Sequence, residues 1–273
     1  MDAQPPREPE SSASAGAERM GRSDLKVSGR IRRVRRVWRA IPSAPRCKMC
    51  TSPFGAPAGP ILRLLGKGRW PGNPKYCAGC FKDLYRNRQG AEIECTLLFA
   101  DIRGSTQLAE SMSATEFRTA LDRFYEAASE VLVEREAIVD KFVGDEVIGI
   151  FIPALAGAEH ATQAVAAAVE LLRVTGHDTA TPWARIGVGI NTGEAFVGVV
   201  GTADHIEFTA LGDVVNVTAR LASAAGPGEV LIADATARAA RTGSGLERRR
   251  LDLRGKSEST EVVVLTLATA SMS

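Results

Sequence analysis

Aromatic side chains are scarce in this chain, at 5% of 273 residues, which argues against a carbohydrate-binding or broadly stacking surface. Long apolar runs are missing too. The stretch of 12 residues between Glu146 and Glu159 is well short of the roughly 20 that a membrane-spanning helix requires. The first 25 residues carry several acids and no apolar segment, so they do not read as a secretory signal. These absences predict a soluble, cytoplasmic protein with no transmembrane segment. Acidic residues are absent from one segment in particular. Residues 26–48 hold nine Lys or Arg and no Asp or Glu, whereas the whole chain has 34 basic and 32 acidic residues. The formal charge of +2 therefore conceals a remainder of 25 − 32 = −7.

What is present falls into four segments. Residues 1–29, rich in Pro, Ser, Ala and Gly, lack apolar periodicity and are expected to be a disordered tail. Within the basic segment, 30–46, Ile31, Val34, Trp38 and Ile41 recur at helical spacing with arginines between them. A short amphipathic helix is expected there. It would either touch an anionic surface or nucleic acid through residues 30–39 or lie as a solvated linker. Residues 47–90 form a Cys-rich region with a linker helix, and residues 91–268 alternate strands and helices.

Cys47, Cys50, Cys77 and Cys80 form two C-x-x-C pairs separated by 26 residues. Each pair sets two thiolates on one tight turn, which suits an edge of a tetrahedral Zn²⁺ site. Arg46, Lys48 and Lys75 lie close enough in sequence to offset thiolate charge. Two disulfides are the alternative, but nothing in the sequence points to an oxidising compartment. The fifth cysteine, Cys95, opens an apolar strand and is expected to be inert packing.

In the larger segment, CTLLFADI reads as a buried strand ending at Asp101 beside a Gly/Ser/Thr turn. Ser113 and Glu116 form a capping box ahead of a helix. AIVDKFVGDEVIGIF reads as two strands joined at Gly144–Asp145, and ARIGVGINTGEAFVGVVG as two strands joined by a turn at Asn191–Thr192–Gly193. A helix is expected over Asp213–Ala224, which sets Asn216 and Arg220 on one face. The order is β-α-β-β-α-β with extensions, an α+β fold with a ferredoxin-like core. Two strand-end aspartates beside a phosphate-binding turn are what in-line phosphoryl transfer with two metal ions requires. A capping role is the ordinary alternative for either one alone.

LFADIRGST, KFVGDEV, RIGVGINTG, GVVG and LGDVVNVTARL, in that order, resemble the catalytic domain of class III nucleotidyl cyclases. The Cys-rich front end is similar to an N-terminal extension found on some bacterial members. The resemblance implies that Asp101 and Asp145 hold two Mg²⁺ or Mn²⁺ ions. It also implies that Asn216 and Arg220 orient the ribose and stabilise the transition state at the α-phosphate. Lys141 and Thr209 would read the base, and Arg185 and Arg254 would contact the triphosphate. Arg254 stands where the family has lysine, and Thr209 where aspartate is often found. The implied reaction converts ATP to 3′,5′-cyclic AMP and pyrophosphate at a homodimer interface. Guanylate cyclase, or a non-catalytic nucleotide-binding module of the same fold, remain the alternatives. VGDEV at 143–147 is also similar to the signature loop of diguanylate cyclases, but GINTG and LGDVVN do not fit that family.

Overall fold

A computed structural model describes residues 29–41, 45–70, 73–86, 90–201, 206–242, 244–253 and 259–270. The expected tail, nearly all of residues 1–29, and Arg254 lie outside the described residues. The chain runs α1 (Gly29–Arg39), α2 (Ala58–Leu64), β1 (Arg69–Trp70), β2 (Asn73–Cys77), α3 (Ala78–Arg86), β3 (Gly90–Ile102), α4 (Ser105–Ser111), α5 (Ala114–Glu134), β4 (Ile138–Val143), β5 (Glu146–Phe151), α6 (Pro153–Ala156) and α7 (His160–Val174). It continues through β6 (Ile186–Gly201), β7 (Ile206–Leu211), α8 (Asp213–Ala224), β8 (Val230–Ala233), α9 (Asp234–Ala239), β9 (Glu247–Leu251), β10 (Thr260–Leu265) and α10 (Leu267–Ala270).

The main sheet follows the order β4-β5-β3-β6-β8-β10-β9, with β7 pairing the second half of β6. Strand β3 is the spine. Its alternation sends Leu98, Ala100 and Ile102 into a core with α5 and α7, and Cys95, Leu97 and Phe99 into a core with α8. Helix α8 lies close on β6 because Gly189 carries no side chain, since a Cβ there would stand 2.3 Å from the backbone nitrogen of Ala222. The capping box forms as expected: Ser113 Oγ accepts from the Glu116 N–H, and Glu116 Oε2 accepts from the Ser113 N–H at 2.8 Å.

The turn expected at Asn191–Thr192–Gly193 is absent. Strand β6 runs straight through it, with these residues paired to Leu97, Thr96 and Cys95 of β3. Asn-Thr-Gly favours turns locally, but here the long β3 ladder and a 2.8 Å bond between the Thr96 and Thr192 hydroxyls override that preference. A separate, solvated basic helix is also corrected in part. Helix α1 forms, but Arg35 on it is wholly buried. Its guanidinium donates to Met49 O at 2.7 Å, Ala137 O at 2.8 Å and Glu136 Oε2 at 3.2 Å. Arg39 donates to Val133 O and Glu134 O at the end of α5, where the helix dipole favours a cation. Arg46 donates to Trp38 O and Ile41 O, closing the loop after α1. The Cys-rich region is packed against the same body, since Cys47, Met49, Cys50, Tyr76 and Cys77 share the α8-side core with Leu97, Phe99 and Phe208.

Removing Arg35 leaves the Met49 and Ala137 carbonyls without that donor, and the Glu136 carboxylate with Arg39 as its remaining cation. Arg35→Ala should therefore cost about 3 kcal/mol in urea unfolding, while Ala at the exposed Arg33 or Arg36 should cost under about 0.5 kcal/mol. Equal losses at all three would contradict the buried role.

Candidate active site

The β3–β5 register sets Asp101 opposite Glu146, and Asp145 stands in the turn between β4 and β5 immediately before it. Three acidic side chains thus share one end of the sheet. Burial and the charge of Asp145 push the Glu146 carboxyl up to about 7, against the pull of Arg103. Arg103, which sequence reasoning missed, pairs with Asp101 and also donates to Ser223 O at 2.9 Å, tying the end of β3 to the end of α8. The turn following Asp101 uses Gly104 in a left-handed conformation, φ 75°. Arg185 is exposed at the start of β6, on the same sheet end, and its carbonyl accepts from the Arg103 N–H at 2.6 Å. Carboxylate oxygens are hard donors of the kind that suit Mg²⁺ or Mn²⁺.

A second constellation lies where β7 meets β4. Thr209, buried, donates from Oγ1 to Asp140 Oδ2 at 2.6 Å. Lys141 stands 3.7 Å from both Asp140 Oδ2 and Glu207 Oε2. Asp140 is itself buried, and its other oxygen accepts from Lys48 Nζ at 2.7 Å. The two expected base readers are thus neighbours, held by an aspartate that sequence reasoning passed over as an ordinary strand residue. Asn216 is exposed and Arg220 half-buried on α8. Phe142, Val143 and Leu211 also stay exposed around these positions.

The sulfurs of Cys47, Cys50, Cys77 and Cys80 all lie within 4.8 Å of one another, and no disulfide joins them. The Cys77 N–H points at Cys47 Sγ at 3.3 Å, and the Cys80 N–H at Cys77 Sγ at 3.5 Å. Hydrogen bonds among the thiols hold Cys47 and Cys77 below the usual thiol range and push Cys50 and Cys80 above it. Four sulfurs this close together, three of them on buried residues, cannot all ionise without a cation, which is the condition a thiophilic metal meets. Burial raises the isolated Cys95 thiol to about 12, as inert packing requires.

Residues 88–266 match the family described as the adenylate and guanylate cyclase catalytic domain. Among curated relatives, an adenylate cyclase specific to terminal differentiation in Dictyostelium discoideum is 34% identical over 131 residues, 46% of this chain and 6% of that protein. Adenylate cyclase 1 of Rhizobium meliloti is 32% identical over 134 residues, 47% of this chain and 20% of that protein. The chain thus matches only a small share of these relatives' length. Among solved structures, the adenylyl cyclase CyaB from P. aeruginosa aligns with a TM-score of 0.58 at 28% identity, covering 65% of this chain and 96% of that one. The guanylyl cyclase Cya2 aligns with a TM-score of 0.57 at 26% identity, covering 64% and 92%.

Cobalt(II), used as a spectroscopic probe, should give thiolate-to-metal charge-transfer absorption with the wild-type chain and lose it with Cys77→Ser. After chelation the four clustered cysteines should react with a thiol reagent while Cys95 stays slow. Absence of the absorption band, or a fast Cys95, would contradict the assignment.

Proposed function

The chain belongs to the adenylate and guanylate cyclase catalytic-domain family, and on that premise we propose that it is an adenylate cyclase, converting ATP to 3′,5′-cyclic AMP and pyrophosphate. The observation that carries the reading is the bond from Thr209 to Asp140. A hydroxyl whose proton is committed to a carboxylate presents only lone pairs elsewhere. It can accept from the amino group of adenine but opposes the carbonyl that guanine carries at the same ring position. Lys141, an obligate donor, complements adenine N1, where guanine has its own N–H.

The catalytic unit is residues 91–268. Asp101 and Asp145 are the groups we assign to two Mg²⁺ or Mn²⁺ ions. When bound, such ions make the ribose 3′-hydroxyl more acidic and neutralise charge on the triphosphate. Asn216 orients the ribose. Arg220 donates to the α-phosphate as charge develops there, an interaction stronger in the transition state than in the ground state. Arg185 and Arg254 hold the outer phosphates. We place it in the cytoplasm; among the described residues, no helix is long and apolar enough to cross a membrane. The four clustered cysteines we assign to a structural Zn²⁺.

The family resemblance divides the site between two subunits, aspartates from one and Lys141, Thr209, Asn216 and Arg220 from the other. This chain carries both halves, so a homodimer has two equivalent sites. The exposed Phe142, Val143 and Leu211 support burial of that surface on dimerisation. Within residues 30–39, Arg35 and Arg39 are engaged internally, so an anionic partner would use other arginines of that segment, the exposed Arg33 and Arg36 among them.

Incubation with ATP or GTP and Mn²⁺, with both cyclic products quantified, tests the reading, and cyclic AMP should dominate. The similarity to a guanylyl cyclase supports a second reading, which a dominant cyclic GMP product would favour. Asp101→Ala and Arg220→Ala should each abolish turnover. Mixing the two should restore about a quarter of it, because half the dimers are mixed and one of their two sites is intact. No recovery from two folded variants would contradict the shared site.

A further inference from the structure

Phe208 sits on the open side of β7, the strand that carries Thr209. Its neighbour across the ladder is Val199 of β6, yet its own backbone groups are taken from outside the sheet. The Phe208 N–H donates to Tyr76 Oη at 3.0 Å, and the Phe208 carbonyl accepts from Lys48 Nζ at 2.7 Å. Both arms come from the cysteine cluster. Lys48 follows Cys47 directly, and Tyr76 directly precedes Cys77. Each chelating pair therefore sends one side chain to the same residue.

Lys48 does more than cap an edge. Its ammonium also donates to Asp140 O at 2.6 Å and Asp140 Oδ1 at 2.7 Å, so one buried cation joins the cluster to β4 and β7 together. With Oδ1 occupied by Lys48, Oδ2 is left for the Thr209 hydroxyl. Without Lys48, the Asp140 carboxylate would draw on Lys141, which already stands 3.7 Å away, and pull it from the base.

We propose that the four-cysteine cluster is a metal-dependent clamp on base recognition: a thiophilic divalent cation bound by Cys47, Cys50, Cys77 and Cys80 fixes Lys48 and Tyr76 on Phe208. Through them it fixes the orientation of Thr209 and Lys141. Lys48 is then a positioning residue for the nucleotide pocket, and the metal state of the cluster is read as nucleotide affinity and base preference. The physical basis is chain entropy. The two cysteine turns are 26 residues apart in sequence, and a shared metal holds them together, whereas without it no covalent bond joins the two pairs and the intervening loop is released. The name of the nucleotide rests on the cyclase reading above. The clamp itself rests on contacts to β4 and β7 that exist whatever the nucleotide is.

The test pairs two measurements on the full chain. Amide exchange is followed by mass spectrometry in zinc-loaded protein, after chelation, and in Lys48→Met, Lys48→Arg and Tyr76→Phe. Chelation or Lys48→Met should speed exchange over 206–211 by about tenfold or more while the β3 amides at 97–100 hold their protection. Lys48→Arg, which keeps the charge, should stay closer to wild type, and Tyr76→Phe should lose protection at Phe208. In cyclisation assays the same treatments should raise the KM for ATP about tenfold and narrow the preference over GTP, with a smaller change in kcat. In Lys48→Met, chelation should add little further change. Unchanged exchange at 206–211 overturns the clamp, and so does acceleration of β3 together with β7, which would make the metal merely structural. A protein that cyclises neither nucleotide but shows the local exchange response keeps the clamp and removes the cyclase reading. An active enzyme without the response does the reverse.

Discussion

A carboxylate taken out of water has to be matched by charge and hydrogen bonds, and the buried side chain of Asp140 sets that requirement here. Its partners come from two remote parts of the chain and from its own strand. Lys48 arrives from the cysteine turn, Thr209 from β7, and Lys141 from the next position on its own strand. Meeting the requirement obliges β7 to lie against β4 and obliges the cysteine region to dock on the sheet. It also fixes the direction of the Thr209 proton, which on the proposed reading bears on nucleotide choice. One buried charge thus links the packing of the N-terminal region with the chemistry of the site.

The opposite charge is handled in the same way a short distance off. Arg35 is buried, and desolvation lowers its pKa while Glu136 opposes the loss. Its remaining donors satisfy carbonyls of Met49 and Ala137, groups that would otherwise be orphaned beneath α1. Arg39 and Arg46 close helix ends and loops nearby. The basic segment that looked like a detachable handle beside an acidic body is partly a set of internal ties. Its charge offsets carbonyl dipoles and carboxylates at the contact between α1 and the end of α5. Arg33 and Arg36 remain exposed, so only a part of the charge faces solvent.

Much of the fold was legible because it is written in local patterns. The Ser113–Glu116 box, the hairpin around Gly144–Asp145 and the helix over Asp213–Ala224 each depend on residues within one turn of each other, and each forms at the expected place. So does the approach of the four cysteines, because two chelating pairs leave few ways to be satisfied. The misreadings have the opposite character. Asn191–Thr192–Gly193 is a turn by local preference and a strand by its partners on β3. Asp140 in IVDKF looks like the polar half of an alternating strand, and nothing near it in sequence names Lys48 or Thr209. Arg103 adjoins the motif that was read, but its tie to α8 is tertiary. Arg35 repeats at arginine spacing among neighbours that stay in water. What sequence conceals is which of several like residues the tertiary structure takes inside.

Edge strands leave a row of backbone groups open, and proteins close them by pairing, charge or cover. Strand β7 is closed by two side chains instead of another strand. That choice has a consequence for energetics. The ladder of β3 with β6 and of β6 with β8 does not pass through Phe208, so the cover on β7 can loosen without the rest of the sheet opening. Local opening of this kind costs only the contacts it breaks, well below the free energy of global unfolding. The two proposed metal environments reinforce the separation. Thiolates favour soft, zinc-like ions, and the carboxylates of Asp101 and Asp145 favour Mg²⁺ or Mn²⁺, so the occupancy of one set need not follow the other. A cation at the cysteines can bias the pocket by no more than its preference for the closed over the open state of β7. That limit suits adjustment of affinity better than an on–off switch.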